Sequence, residues 1–214
     1  MREDARGPFI VFEGIDGAGT TTQCRLLSDR LRRERPDRRV AVTAEPSGGP
    51  VGAMIRHVLR ERVVGTTALG ERASFDRRAL ALLFAADRLD HVACEIEPLV
   101  AAGWVVVSDR YVLSSVAYQG MDAPRAWVET LNSFAPPPDM LVFLDTPVDV
   151  AWERIRSSRA GRDVFEAPDT LRRVAAAYRD ALPATRAARV VTIPGDLSVD
   201  EIAEAVWREV SPLV

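Results

Sequence analysis

Lysine is absent from this sequence, because all 28 residues counted as lysine or arginine are arginines. Cysteine is nearly absent: Cys24 and Cys94 stand apart, with no C-x-x-C spacing, which argues against a disulfide framework and a zinc site. No apolar run approaches the roughly 20 residues that a membrane-spanning helix needs. The first residues, MREDARGPF, also lack the apolar segment of a signal peptide. We therefore expect a cytoplasmic protein.

An excess of positive charge is also missing, since the net charge is −3 at pH 7. General nucleic-acid and membrane-surface binders carry a basic surplus, so neither nucleic acid nor membrane is an expected partner. A hydrophobic fraction of 47% and a charged fraction of 28% are ordinary for a globular protein. The 214 residues suit one domain with a core of its own.

Short apolar runs alternate with longer segments of helical period. The runs FIVFEG, RRVAVTAEP, WVVVSDR, MLVFLDT and ARVVTIPG predict five strands. Residues 75–103 predict one long helix, or two in tandem near Pro98, and residues 63–74 predict a loop. This alternation predicts a three-layer α/β domain with a five-stranded parallel sheet flanked by helices. Its ligand site should lie at the carboxyl ends of the strands.

The stretch VFEGIDGAGTTTQ, residues 11–23, contains the G-x-x-x-x-G of a phosphate-binding loop (P-loop) between a strand and a helix. Its glycines and N–H groups can surround a phosphate, and the helix N-terminus favours an anion there. The pattern continues with lysine, where this chain has Thr20, and then with a hydroxyl for Mg²⁺, here Thr21. Without lysine, the loop alone also fits a glycine-rich turn with no phosphate site. The candidate nucleotide-binding residues are Gly14, Gly17, Ala18, Gly19, Thr20, Thr21 and Thr22.

Three further stretches are EPSGGPVGAMIRHVLR, FAADRLDH and SDRYVLSSVAYQG. With EGIDGAGTTTQ, in this order and spacing, they resemble the thymidylate kinases, P-loop enzymes that phosphorylate dTMP from ATP in deoxynucleotide biosynthesis. The resemblance covers most of the chain, from Phe9 to Tyr178. It implies one nucleoside monophosphate kinase domain over residues 1–214, ATP and Mg²⁺ as cofactors, and a homodimer.

The resemblance assigns roles in the acceptor site. Phe84 would stack on thymine, and Arg88, one helical turn away, would hydrogen-bond a thymine carbonyl. Arg110 would bind the 5′-phosphate of dTMP, a task that suits a permanently charged, forked donor. The alternatives are core packing for Phe84, a solvated position for Arg88 and a strand-end ion pair of Arg110 with Asp109.

Further residues of the site are implied in the same way. Asp16 would lie near the sugar and phosphate of the acceptor and take part in catalysis with Arg110, and Glu13, at the strand end, would belong to the same polar cluster. Asp109 would lie near the Mg²⁺ held by Thr21. The remaining implied contacts are with the base edge and the sugar, from Ser114, Ser115 and Tyr118.

The stretch RIRSSRAGRDVFE, residues 154–166, is rich in arginine and contains Gly161, which suits a lid over the phosphates or, alternatively, a solvated surface loop. Some thymidylate kinases have a catalytic arginine at the position of Gly17, and others have it in the lid. Arginine at 156, 159 and 162 therefore implies the bacterial type, with Arg159 and Arg162 as the catalytic candidates. We hypothesise that one of them covers the β- and γ-phosphates in place of the missing lysine.

Two positions depart from the family pattern. Ala44 stands where arginine is frequent and Pro50 where threonine is frequent, so the acceptor-phosphate pocket has less positive charge unless Arg56 compensates. Two alternatives to dTMP kinase activity follow. One is a related nucleoside or nucleotide kinase with another acceptor, and the other is a nucleotide-binding protein that has lost transfer along with the lysine.

Overall fold

The computed structural model describes residues 6–157 and 168–214. Over these ranges it contains seven strands: β1 Phe9–Glu13, β2 Val40–Ala44, β3 Gly65–Thr66, β4 Arg72–Ala73, β5 Val105–Asp109, β6 Met140–Asp145 and β7 Arg189–Pro194. The helices in the same ranges are α1 Thr20–Glu34, α2 Pro50–Leu59, α3 Arg77–His91, α4 Glu97–Ala101, α5 Val112–Tyr118, α6 Arg125–Leu131, α7 Val148–Ser157, α8 Pro168–Ala181 and α9 Val199–Val210.

Five strands form a parallel sheet in the order β2-β5-β1-β6-β7, which confirms the predicted α/β architecture. β1 lies at the centre of the sheet, where both faces are covered, and all five of its residues are buried. A strand in this position needs a continuous apolar run, which residues 9–12 supply. Its alternate side chains serve two cores. Ile10 and Phe12 face the larger core under α1 and α8, whereas Phe9 and Val11 face a second core under α4.

The predicted long helix is confirmed, with a local change before its proline. α3 continues through a π-helical turn, Val92–Ile96, into α4, where Pro98 occupies the first turn. Proline lacks the N–H that an α-helix interior requires, and a π turn is a frequent irregularity at such points. The segment ends at Gly103, whose φ of 79° lets the Trp104 N–H return to the Leu99 carbonyl at 3.0 Å.

The loop predicted over residues 63–74 instead contains a short hairpin. Gly65 pairs with Ala73 and Thr66 with Arg72, so β3 and β4 form a separate two-stranded sheet. The turn between them is closed by Thr67, whose carbonyl accepts from the Gly70 N–H at 2.9 Å. Strands of two residues are too short to leave a periodic signal in the sequence.

Within residues 6–157 and 168–214, the helices are too short or too polar for any of them to cross a bilayer.

Candidate active site

The loop between β1 and α1 turns at two glycines with left-handed backbone angles, Gly17 at φ 79° and Gly19 at φ 97°. Gly19 is the N-cap of α1, and no side chain caps this helix within the described residues. The first N–H groups of a 15-residue helix therefore end at the loop, together with the positive end of the helix dipole. This arrangement can bind a phosphate group.

The three threonines of the first turn of α1 lie in different environments. Thr20, at the position of the pattern's lysine, is only 5% exposed, and its methyl group lies beside Gly14. Thr21 and Thr22 are exposed. The side chain of Thr20 is short and partly apolar, so it brings no charge to the phosphate-binding loop.

A hydroxyl and a carboxylate meet beside this loop in a way that fits a hard cation. The Thr21 Oγ1 hydroxyl donates a short hydrogen bond to Asp109 Oδ2. The other carboxylate oxygen, Asp109 Oδ1, is buried and has no hydrogen-bond partner in the described part of the chain. Mg²⁺ prefers oxygen ligands and uses one or two protein groups together with water and phosphate oxygens. The residues present therefore fit Mg²⁺.

Glu13 ends β1 as a fully buried carboxylate that organises the start of α5. Its Oε1 accepts from the backbone N–H groups of Tyr111 and Ser114, at 2.9 and 3.1 Å. Its Oε2 accepts from the Ser114 hydroxyl at 2.6 Å and from the Tyr178 hydroxyl at 3.0 Å. Burial raises the pKa of Glu13, while the hydrogen bonds from Ser114 and the charge of Arg110 act against that rise. Glu13 thus fixes the segment that carries Arg110.

Arg110 leaves β5 with a φ of 75°, which turns its side chain back toward the P-loop. Its guanidinium donates to the Gly14 carbonyl, the Ser114 hydroxyl and the Tyr178 hydroxyl, at 3.1 to 3.2 Å. It also makes a short ion pair with Asp16.

The Arg110 guanidinium lies 5.3 Å from the centre of the Tyr118 ring, and the Tyr118 hydroxyl accepts from the Asp16 N–H at 3.3 Å. The side chain of Arg110 keeps an exposed fraction of 20%, so it remains open to a ligand. The predicted residues Asp16, Arg110, Ser114 and Tyr118 are therefore neighbours.

Arg88 lies deeper than a contact with the base alone would require. Its side chain is 2% exposed and donates to Glu45 Oε2 from Nε at 2.9 Å and from a terminal nitrogen at 2.6 Å. It also donates to Asn132 Oδ1 and to Ser115 Oγ, the latter at 3.1 Å. Phe84, one turn earlier, is partly buried and packs on the small core of Ile55, Val58 and Leu80. Arg88 and Ser115 are thus brought together.

The family model for thymidylate kinase matches residues 12–206, which include every residue of the site described in this subsection. The chain belongs to the thymidylate kinase family.

Several relatives support this assignment. A protein of Pyrobaculum aerophilum named "probable thymidylate kinase" is 41% identical over 171 residues, 79% of this chain and 80% of the relative. One of the same name from Pyrococcus horikoshii is 44% identical over 154 residues, 71% of each chain. One from Caldivirga maquilingensis is 39% identical over 172 residues, 79% of this chain and 78% of the relative.

In this member of the thymidylate kinase family, the loop after β2 is held by a buried carboxylate and a half-buried arginine. Asp87 accepts from the Ser47 N–H at 2.7 Å and from the Ser47 hydroxyl at 2.6 Å. Arg56 donates to the carbonyls of Pro46 and Ser47, at 2.9 and 2.5 Å. Arg56 therefore binds this loop, and the two residues that depart from the family pattern, Ala44 and Pro50, are both exposed beside it.

α7 packs directly against the P-loop of this thymidylate kinase family member. A Cβ added to Gly17 would lie 2.4 Å from the Ala151 carbonyl oxygen, so a larger residue at this position would collide with backbone. Arg154 donates to the Ala18 carbonyl at 3.4 Å, and Arg156 is exposed in the last turn of α7. The other two arginines of the predicted lid, Arg159 and Arg162, lie outside the described residues.

Three residues that hold this site together were not predicted from the sequence. Glu45 directly follows β2, and its place at the carboxyl end of a sheet strand was a usable signal. Asn132 and Tyr178 left no such signal, because one follows a short helix and the other lies within α8. Their side chains bind Arg88 and Arg110, from 44 and 68 positions away in the sequence.

Proposed function

We propose that this protein transfers the γ-phosphoryl group of ATP to the 5′-phosphate of dTMP, giving dTDP and ADP, as one nucleoside monophosphate kinase domain in the cytoplasm. The observation that carries this proposal is the contact between Arg110 and the Gly14 carbonyl of the P-loop, at 3.1 Å. A group suited to the acceptor phosphate therefore adjoins a loop suited to the donor phosphates. Membership of the thymidylate kinase family supports dTMP as the acceptor.

Phosphoryl transfer requires that the protein position the two phosphates and offset their negative charge. An oxygen of the dTMP 5′-phosphate attacks the γ-phosphorus, and the bond from that phosphorus to the β,γ-bridging oxygen breaks as ADP leaves. Arg110 would hold the acceptor phosphate and offset its charge, with Asp16 fixing the guanidinium and lying near the sugar. The N–H groups of the P-loop, from Gly14 to Thr22, would bind the phosphates of ATP.

We assign the acceptor base to the residues around Arg88, and the sugar to Tyr118. Phe84 would stack on thymine. Arg88 and Ser115, which are hydrogen-bonded to each other, would hydrogen-bond the edge of the base. Ser114 connects this region to Arg110 through its hydroxyl, at 3.2 Å. Tyr118, beside Asp16, would pack against the sugar.

Thr21 and Asp109 would hold Mg²⁺ on the nucleotide, and the bound ion would offset negative charge on the phosphates. We expect removal of the metal with EDTA to abolish ADP formation. Thr21→Val should raise the Mg²⁺ concentration needed for half-maximal rate by about tenfold, because one oxygen beside Asp109 is lost. Thr66→Val, in the exposed hairpin, is the matched control. An unchanged Mg²⁺ dependence of Thr21→Val would remove Thr21 from the metal site.

ADP release in a coupled assay with ATP·Mg²⁺ tests the proposed function. Among dTMP, dUMP, dCMP and thymidine, dTMP should react fastest, and thymidine should not react because it offers Arg110 no phosphate. Faster turnover of another acceptor would favour a related kinase. Thermal stabilisation by dTMP without ADP release from any acceptor would favour a nucleotide-binding protein without transfer.

The proposal includes a homodimer built on α3. Leu82 and Leu89 are 49% and 42% exposed, Ala86 is exposed on the same side of α3, and Ala93 is exposed in the π-helical turn that follows. Positions 82, 86, 89 and 93 follow helical spacing, so they form one apolar stripe that a second copy would cover.

Leu82→Glu with Leu89→Glu should convert a dimer of the wild-type chain to a monomer in sedimentation velocity, because four like charges would then face each other. Leu69→Glu, at an 87% exposed position of the hairpin turn, should leave the wild-type species unchanged. A monomeric wild-type chain would contradict the dimer without affecting the proposed chemistry.

A further inference from the structure

His91 is a buried histidine with polar partners on both ring nitrogens. Its side chain is 1% exposed at the end of α3. Nδ1 lies 3.3 Å from Glu45 Oε1, and Nε2 lies 2.7 Å from Thr43 Oγ1. The carboxylate of Glu95 lies 3.5 Å from Nε2 on the outer side. None of the roles assigned to the acceptor site so far uses this residue.

The carboxylate of Glu45 fixes the role of Nδ1. A carboxylate can only accept, so Nδ1 donates to Glu45. Nε2 pairs with the Thr43 hydroxyl, which can donate or accept. Thr43 lies in β2 and Glu45 directly follows this strand, so the ring joins α3 to the end of β2 at two points.

Glu45 divides its two oxygens between two residues of α3. Oε2 accepts from Arg88, as described above, whereas the partner of Oε1 in the described part of the chain is His91. Loss of the His91 ring would leave the buried Oε1 of Glu45 unpaired. The carboxylate could then rotate, and Oε2 would no longer hold Arg88 in place.

We propose that His91 is a positioning residue for recognition of the acceptor base, acting through Glu45 on Arg88. The inference rests on the proposed function, because it takes Arg88 as the group that reads the thymine carbonyl. Arg88 can offer only donors, which suit the carbonyl oxygen at position 4 of thymine and oppose the amino group that cytosine carries there. Displacement of Arg88 should therefore weaken dTMP binding and reduce the preference for dTMP over dCMP.

Three variants test this role. His91→Leu removes both polar contacts, and His91→Asn keeps an amide N–H near the position of Nδ1. His57→Leu, at the exposed histidine of α2, is the matched control. For His91→Leu we expect KM for dTMP to rise about tenfold, and the selectivity for dTMP over dCMP to fall about tenfold, the effect of one lost hydrogen bond in a buried network. The kcat and the KM for ATP should stay close to wild type, and His91→Asn should recover most of the loss.

Calorimetric titration of each variant with dTMP measures the same change without turnover. If the wild-type chain binds dTMP but releases no ADP, the proposed function fails, while the effect of His91 on binding is still measured. The role of His91 is overturned if His91→Leu binds dTMP as the wild type does. It is also overturned if kcat and both KM values change together, or if His91→Asn is no better than His91→Leu.

Discussion

Replacing Arg110 with alanine is expected to lower kcat/KM for dTMP by about a thousandfold or more. The lost group carries a permanent charge and several donors, and loss of a single fixed donor at a reacting centre already lowers the rate by about 10²–10³. An arginine on a transferring phosphoryl group contributes about 10³–10⁵. Arg110 is held ready for this task by Gly14, Ser114 and Asp16, so little reorganisation is needed when the phosphate binds.

The fold should survive this substitution. Glu13, the buried carboxylate beside Arg110, keeps its four hydrogen bonds from Tyr111, Ser114 and Tyr178. Thermal unfolding of Arg110→Ala without ligand should remain a single cooperative transition at a somewhat lower temperature, because Glu13 loses the charge of Arg110, while the stabilisation by dTMP disappears.

Arg110→Lys should recover less than a tenth of the lost rate, about what is expected when a forked donor is replaced by a point charge. Arg72→Ala, which removes an exposed arginine paired with Glu61 in the hairpin, is the control for loss of one positive charge. Near-normal kcat/KM in Arg110→Ala would show that the acceptor phosphate is bound elsewhere.

The parts of the fold that sequence predicts well are those set by local pattern. β1 and β6 are long apolar runs because both faces of a central parallel strand are covered, and the glycines of the P-loop mark a turn with positive φ. Residues at the ends of such strands, including Glu13 and Asp109, fall at the predicted edge of the sheet.

What the sequence does not predict depends on contacts between distant segments. α5 has only seven residues, and its start is fixed by the carboxylate of Glu13, about a hundred positions earlier, which accepts from the N–H groups of Tyr111 and Ser114. The burial of Arg88 depends on Glu45, 43 positions away. The helix pattern places position 88 one turn from Phe84, but it does not show which carboxylate will meet the guanidinium.

Because Thr20 replaces the lysine of the P-loop pattern, the positive charge that lysine places on the phosphates of ATP has to be sought elsewhere. The chain has no lysine, Thr20 is buried, and a side chain at Gly17 would collide with Ala151. Any replacement charge must therefore come from an arginine outside the loop. α7, which packs on the P-loop, leads into the segment that contains Arg159 and Arg162, and this is the basis of the proposed bacterial-type lid.

The double variant Arg159→Ala with Arg162→Ala is expected to lower kcat by about a thousandfold, the scale of a lost catalytic arginine, while KM for dTMP changes by less than about threefold. The reason for this split is that the lid would act on the donor phosphates, whereas Arg110 and Arg88 would bind the acceptor. Arg32→Ala with Arg33→Ala, at exposed positions of α1, removes the same charge far from the P-loop and is the matched control. A near-normal kcat in the double lid variant would contradict the proposal.

Thr20→Lys distinguishes replacement of the lysine from a separate role of the lid. If a lid arginine supplies the missing charge, Thr20→Lys should change the wild-type kcat by less than about threefold but raise that of the double lid variant at least about tenfold, because only the latter lacks a cation on the donor phosphates. Equal gains in both backgrounds would mean that lysine and lid act independently. In that case the natural site would work without full charge compensation, and the lid arginines would serve another step.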